Sequence, residues 1–220
     1  MVSSIGRHYS WDVAHFVARS PYLQLAKPPA ARRFLRRNVQ LAEECGPTLA
    51  AYPGVLVEPL EFFYRCLHSL GALDLDFMQA LLSEHNWRGV VWGAWLAILE
   101  PGAHFEPALS SVHGRSPHND WLVECALATI RGVSSSPEHA EILQLSARCR
   151  ELLRDVKRPV VRLRREPTAV QYAQMNQERE GVRAAYASGG AEAARALLPG
   201  TLLELYSKSY PAWAASAARL

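Results

Sequence analysis

The sequence predicts an all-α protein, and three observations carry that expectation. Two consecutive stretches, Asp74 to Pro101 and Gly102 to Gly132, each read as a helical hairpin closed by a Gly/Pro-marked break. Their positions correspond: Phe77, Ala80 and Leu81 match Phe105, Ala108 and Leu109 at an offset of 28, and Leu96, Ala97 and Leu99 match Leu127, Ala128 and Ile130 at an offset of 31. A period of about 30 residues, built from a short and then a longer apolar helix, is the pattern of stacked helical hairpins. Elsewhere apolar residues recur at helical spacing, and only Val160 to Arg165 alternates as an extended segment would.

The elements follow in order. Ser10 can cap a helix from Trp11 to Arg19 that Pro21 closes. Pro28 and Pro29 set up a helix from Ala30 to Glu44, with Phe34, Val39, Leu41 and Ala42 as apolar positions and Gly46 as its stop. Thr48 to Tyr52 is at most one turn before Pro53 and Gly54. Pro59 to Leu70 is helical, since Leu60, Phe63, Tyr64 and Leu67 share one face, and Gly71 ends it. The hairpins are expected over 75–84/87–99 and 104–112/119–131. Beyond Ser134 to Pro137, the residues Ile142, Leu145, Cys149, Leu152 and Val156 form one stripe, broken at Pro159. A long helix is expected from Ala169 to Ser188, with Tyr172, Met175, Val182 and Tyr186 on one side, ending at Gly189–Gly190. Two C-terminal helices follow, about 191–198 and 201–218, the second kinked at Pro211. The organisation is one domain, with N-terminal helices over 1–57, the hairpin core over 58–132 and C-terminal helices over 133–220.

Composition sets broader bounds. A chain of 220 residues with 49% apolar and 20% charged residues is long enough to bury a sizeable core. The longest unbroken apolar run, Gly89 to Leu99, is too short to cross a bilayer, and residues 1–10 lack the pattern of a secretory signal. A cytoplasmic location is therefore expected. Cys45, Cys66, Cys125 and Cys149 are scattered in apolar settings, as buried structural thiols are in a reducing compartment. Charge is unevenly spread. Residues 1–57 carry seven Lys/Arg against three Asp/Glu, residues 58–124 three against nine, and residues 125–220 fourteen against nine. The acidic third coincides with the hairpins, and a surface of one sign steers a partner of the other.

Catalytic and cofactor signals are weak. His85, His104, His113 and His118 fall within the hairpin pair, but neither Glu-x-x-His nor His-x-x-x-His spacing occurs among them, so no metal is expected. There is no Gly-x-Ser-x-Gly elbow and no phosphate loop, because Gly189–Gly190 lacks the Gly-Lys-Ser/Thr that follows in one. No cofactor is implied. Lys157, Arg158, Arg162, Arg164 and Arg165 form the strongest basic run, but Val160, Val161 and Leu163 between them offer no aromatic platform for bases. Trp92 and Trp95 read as core. Trp87 and Trp121, near helix starts beside polar residues, are candidates for interface anchors.

At Asn86-Trp87-Arg88-Gly89-Val90-Val91 the chain resembles the start of the second helix of a HEAT repeat: a polar cap, a bulky residue and an arginine, then small and branched apolar residues. Gly93, Ala94 and Ala97 are the small residues that would let paired helices approach. The second hairpin has Asn119-Asp120-Trp121-Leu122-Val123 but no arginine matching Arg88. Compact bacterial proteins with HEAT-like helices of this size are similar to immunity proteins that neutralise toxins. The resemblance implies a non-enzymatic binding protein that occludes a toxin, and it carries over no catalytic residue; the acidic hairpins add the expectation that the toxin domain is basic. The residues expected to meet that partner are Asp74, Asp76, Glu84, His85, Trp87, His118, Asp120 and Trp121. The alternatives are an all-α hydrolase-like enzyme using Glu/His pairs near His85 and His118, and a nucleic-acid adaptor working through Lys157 to Arg165. Membrane and nucleic acid are not the expected partners.

Overall fold

A computed structural model describes residues 23–52, 54–55, 57–83, 87–115, 117–134, 136–158, 168–201 and 203–204. Among these residues there are nine α-helices and four short 3-10 turns, and no strand. The helices are α1 (Pro28–Glu44), α2 (Gly46–Ala50), α3 (Glu61–Gly71), α4 (Leu75–Leu82), α5 (Trp87–Leu99), α6 (Glu106–Val112), α7 (Asp120–Arg131), α8 (Ala140–Arg154) and α9 (Ala169–Ala196). The all-α expectation holds. The expected helix over Trp11 to Arg19, the extended stretch from Val160 and the helix over 201–218 lie wholly or mostly outside the described residues.

Helix α5 organises the rest. Every residue from Gly89 to Leu99 is buried, so this helix has no solvent face and must be enclosed on all sides. It is flanked by α3, α4, α7 and α8 and by the 3-10 turn Leu23–Ala26. Trp92 and Trp95 point into an aromatic cluster with Phe62 and Phe63 of α3, and Phe34 of α1 meets Phe62 edge-on at 4.9 Å. The Trp95 indole N–H donates to Cys66 Sγ, a weak acceptor, at 3.4 Å. All four cysteines are free thiols, and burial pushes the Cys66 and Cys125 thiols up to about 12.

Two hairpins surround this axis. In the first, Gly89 faces Leu81 while Gly93, one turn later, faces Met78 and Leu82, so α4 and α5 run antiparallel. The approach is close because of those glycines. A Cβ on Gly89 would sit 2.0 Å from the Leu81 carbonyl oxygen, and one on Gly93 2.8 Å from Leu82 Cδ2. In the second hairpin Glu106 pairs with Arg131 at 2.8 Å and His113 with Glu124 at 3.4 Å, which makes α6 and α7 antiparallel as well. The hairpins lie side by side, α5 against α7 and α4 against α6. Positions matched in the sequence are buried alike in several cases: Phe77 with Phe105, Leu81 with Leu109, and Leu96 with Leu127. Gly132 closes α7 with φ 64°, a left-handed cap.

The N- and C-terminal flanks close on each other. Helix α1 starts on Pro28 and Pro29 and buries Ala31, Leu35, Asn38, Val39 and Ala42. It packs along α8, with Arg32 and Arg36 reaching Glu141 and Glu43 reaching Arg148 at 3.0 Å. Those pairs rise together along both sequences, so α1 and α8 are parallel. The buried line of α8 is Ile142, Ser146, Cys149 and Leu153, which departs from the expected stripe at Leu145 and Leu152. Ser146 can occupy the seam because its hydroxyl donates to the Ile142 carbonyl at 2.7 Å. Helix α9 opens with a capping box between Thr168 and Gln171 and is interrupted at Gly190, where φ is 71°. It buries only Gln171, Met175 and Ala194, and it leaves Tyr172 and Tyr186 exposed where the sequence pattern expected an apolar side.

The glycine seam gives a direct test. Replacing Gly89 with alanine places a methyl group against backbone that cannot rotate away, and overpacking of this kind costs about 1–3 kcal/mol. Higher helix propensity offsets at most about 1 kcal/mol. Gly89→Ala is therefore expected to lower Tm by several degrees in thermal unfolding. Gly93→Ala is expected to cost less, because its neighbours are side-chain ends. A Gly89→Ala protein as stable as the parent would show that α4 can move away from α5.

Candidate functional site

The sequence placed its candidate site at the ends of the hairpins, and the fold distributes those residues over two ends. Asp74 caps α4, its carboxylate accepting from the Phe77 amide at 2.8 Å, and Asp76 lies in the same first turn. Trp87 begins α5 beside the far end of α4, because Gly89 meets Leu81. Eight residues of helix separate the two ends by about 12 Å. Asp74 and Asp76 therefore do not converge with Trp87. Glu84 and His85 lie outside the described residues.

At the other end, the starts of α5 and α7 come together. Asn119 is buried next to Trp87, with its Nδ2 3.5 Å from the Trp87 carbonyl oxygen. Asp120 is half-buried and accepts from the Gly114 amide at 3.0 Å, tying down the loop before α7. His118 is exposed on that loop. Trp87 is half-buried against the core. Arg88 is exposed, with its guanidinium 5.1 Å from the centre of the Trp87 ring.

Trp121 corrects an expectation. It is 9% exposed, its indole N–H donates to the Ala26 carbonyl at 3.2 Å, and its ring lies 5.8 Å from that of His139. Its role is to fasten α7 to the turn before α1, and an indole closed in this way has no face left for a partner. Sequence could not show this, because the acceptor lies 95 residues away.

The outer side of the second hairpin carries a groove that sequence reasoning did not single out. It is lined by Ser110 and His113 from the α6 side, by Glu124, Leu127, Ala128 and Arg131 of α7, and by Val133, with a volume of about 260 Å³. Leu127, Ala128 and Val133 supply apolar surface, and the polar rim consists of His113, Glu124 and Arg131, the last paired with Glu106. Those four side chains are each about 36–55% exposed, so water screens them. The arrangement suits reception of an apolar side chain between charges. Among the described residues no group of three or more His, Cys, Asp or Glu could hold a metal ion. No family model, curated protein or solved structure matches the chain.

A second polar cluster lies inside, on α3. Arg65, His68 and Ser69 are buried, and Arg65 bonds Glu61 at 3.0 Å. Tyr52 stacks on Tyr64 at 4.9 Å and meets the His68 ring edge-on at 5.3 Å. Burial pushes the His68 pKa down to about 4, so the imidazole is neutral at physiological pH, while the unfolded chain returns it to about 6.5. Below pH 6.5 the unfolded state takes up a proton that the folded state refuses. His68 thus contributes stability that is complete above pH 6.5 and is lost progressively down to about pH 4. The parent protein is expected to lose stability across this window by up to about 1.4 kcal/mol per pH unit. His68→Gln should flatten that slope whatever it does to stability at pH 7. Denaturant titrations at stepped pH check it, and equal slopes in both proteins would show that His68 protonates freely in the folded state.

Proposed function

We propose that the chain is a non-enzymatic protein-binding module built on HEAT-like hairpins, and that its partner is a basic protein domain. The observation that carries this reading is the groove on the second hairpin. A floor of Leu127, Ala128 and Val133 under a charged rim has the anatomy of a protein interface, in which an apolar centre excludes water and a polar rim sets orientation. The groove lies in and beside the acidic third of the chain, where nine acidic residues face three basic ones. A basic partner would be drawn toward that surface and anchored by an apolar side chain in the groove.

The HEAT-like description is supported by the pairing of α4 with α6 and α5 with α7, by the matched burial of Phe77 and Phe105, and by the glycine-mediated approach of α4 to α5. The most specific form of the proposal is an immunity protein of the cytoplasm that occludes a toxin domain. That form rests on the family-level resemblance of compact HEAT-like proteins.

Binding kinetics test the reading once a partner has been captured from the native host and purified. Glu124→Lys is expected to slow association several-fold at low salt and to matter less as salt rises, because exposed charges are screened within about 8–10 Å. Ala128→Arg, which fills the groove, is expected to act on dissociation. If both variants stayed folded and bound as the parent does, the interface would lie elsewhere and the groove would carry no role.

A further inference from the structure

We propose that the outer face of α1 binds the phosphate backbone of a nucleic-acid duplex. Arg32, Arg33, Arg36 and Arg37 are all exposed there, four guanidiniums within six residues. One carboxylate, Glu141 of α8, serves both Arg32 and Arg36. Arg33 and Arg37 have no hydrogen-bond or ion-pair partner among the described residues.

This arrangement breaks two local rules at once. Arg32 with Arg36, and Arg33 with Arg37, are like charges at i,i+4, which repel. The helix macrodipole favours acids in the first turn and bases in the last, yet α1 has no acid in its first turn and ends on Glu43 and Glu44. The inner face explains none of this, since α1 is packed through Ala31, Leu35, Asn38, Val39 and Ala42. The α1–α8 seam accounts for Arg32 and Arg36, which pair with Glu141, and for Glu43, which pairs with Arg148; Arg33 and Arg37 break the rule without such a gain, and there function is expected.

The chemistry of the face selects the ligand. An acidic protein partner needs apolar anchors as well as charge. The one aromatic residue amid these arginines, Phe34, is half-buried with its ring against Phe62, so the face offers charge alone. Charge alone suffices for phosphate backbones, whose binding is driven by counterion release. Without an exposed ring to stack unpaired bases, the fit is to a duplex. Arg32 to Arg37 spans about 7.5 Å of helix axis, and a duplex presents about four phosphates over that length. Guanidinium forks can grip phosphates in pairs.

Fluorescence anisotropy of the full chain with a labelled duplex of random sequence tests the proposal at about 50 mM and about 200 mM salt. Binding is expected at low salt and should weaken steeply as salt rises. Arg33→Glu/Arg37→Glu is expected to weaken it at least tenfold, and each arginine lost should reduce the log–log salt slope by about 0.9. Arg33→Gln/Arg37→Gln serves if the reversal unfolds the protein. Arg183→Glu on α9, which removes one arm of the Arg183–Glu180 pair, is the control and should leave binding unchanged. Absence of binding at low salt, an equal loss in the control, or displacement by polyglutamate as effective as by unlabelled duplex would each overturn the assignment.

Discussion

Helix α5 has no side that tolerates water, and the architecture follows from that constraint. A thirteen-residue helix with eleven consecutive buried residues requires neighbours all around it. One of its faces is lined by glycine, at Gly89 and Gly93 one turn apart, and there α4 comes close, to backbone distance at Gly89. Another surface carries Trp92 and Trp95, whose rings meet that of Phe62 on α3. Small residues on one side and indoles on another set the helix off-centre, near α4 and farther from α3. Helix α1, in contrast, buries one line of residues, Ala31, Leu35, Asn38, Val39 and Ala42, whereas α3 is buried from Phe62 to Leu70.

The punctuation of the fold was legible in the sequence, and the mutual placement of helices was not. Pro28 and Pro29 begin α1, Gly132 caps α7, and Gly190 interrupts α9, because these residues act through local backbone geometry. The hairpin boundaries agree within two residues for the same reason. Trp121 was misjudged, since a polar neighbour in sequence says nothing of the Ala26 carbonyl that closes over it in space. Asp74 and Trp87 both lie at hairpin ends, and only the antiparallel contact of Leu81 with Gly89 reveals that the ends differ. The groove beside Leu127 and Val133 escaped notice because it forms between helices, where neither sequence segment alone has a signature.

Charge in this protein is arranged at two scales. Locally, acids are tied to near neighbours: Asp74 to a helix start, Asp120 to a loop amide, Glu106 to Arg131. Each tie is exposed or half-buried and individually weak. At the scale of the molecule the acidic hairpins and the arginine-rich face of α1 remain distinct regions. Their separation follows from topology, since α1 leans on α8 while the second hairpin leans on α5 from another side.

The parallel docking of α1 on α8 has a consequence for the order of folding. Arg36 and Glu141 are 105 residues apart, so the partner of α1 is made long after α1 itself. At a synthesis rate of about 5–20 residues per second, the interval is roughly 5–20 s. Throughout that time α1 lacks α8, the helix it packs along, and has only the turns and helices nearer in sequence, while the hairpins can already close. The flanks must therefore join last, over a long loop, which makes the α1–α8 seam the slow, non-local step of an otherwise local fold. A nascent chain stalled before residue 140 presents the α8 side of α1 uncovered, and there chaperones and wrong partners would meet it.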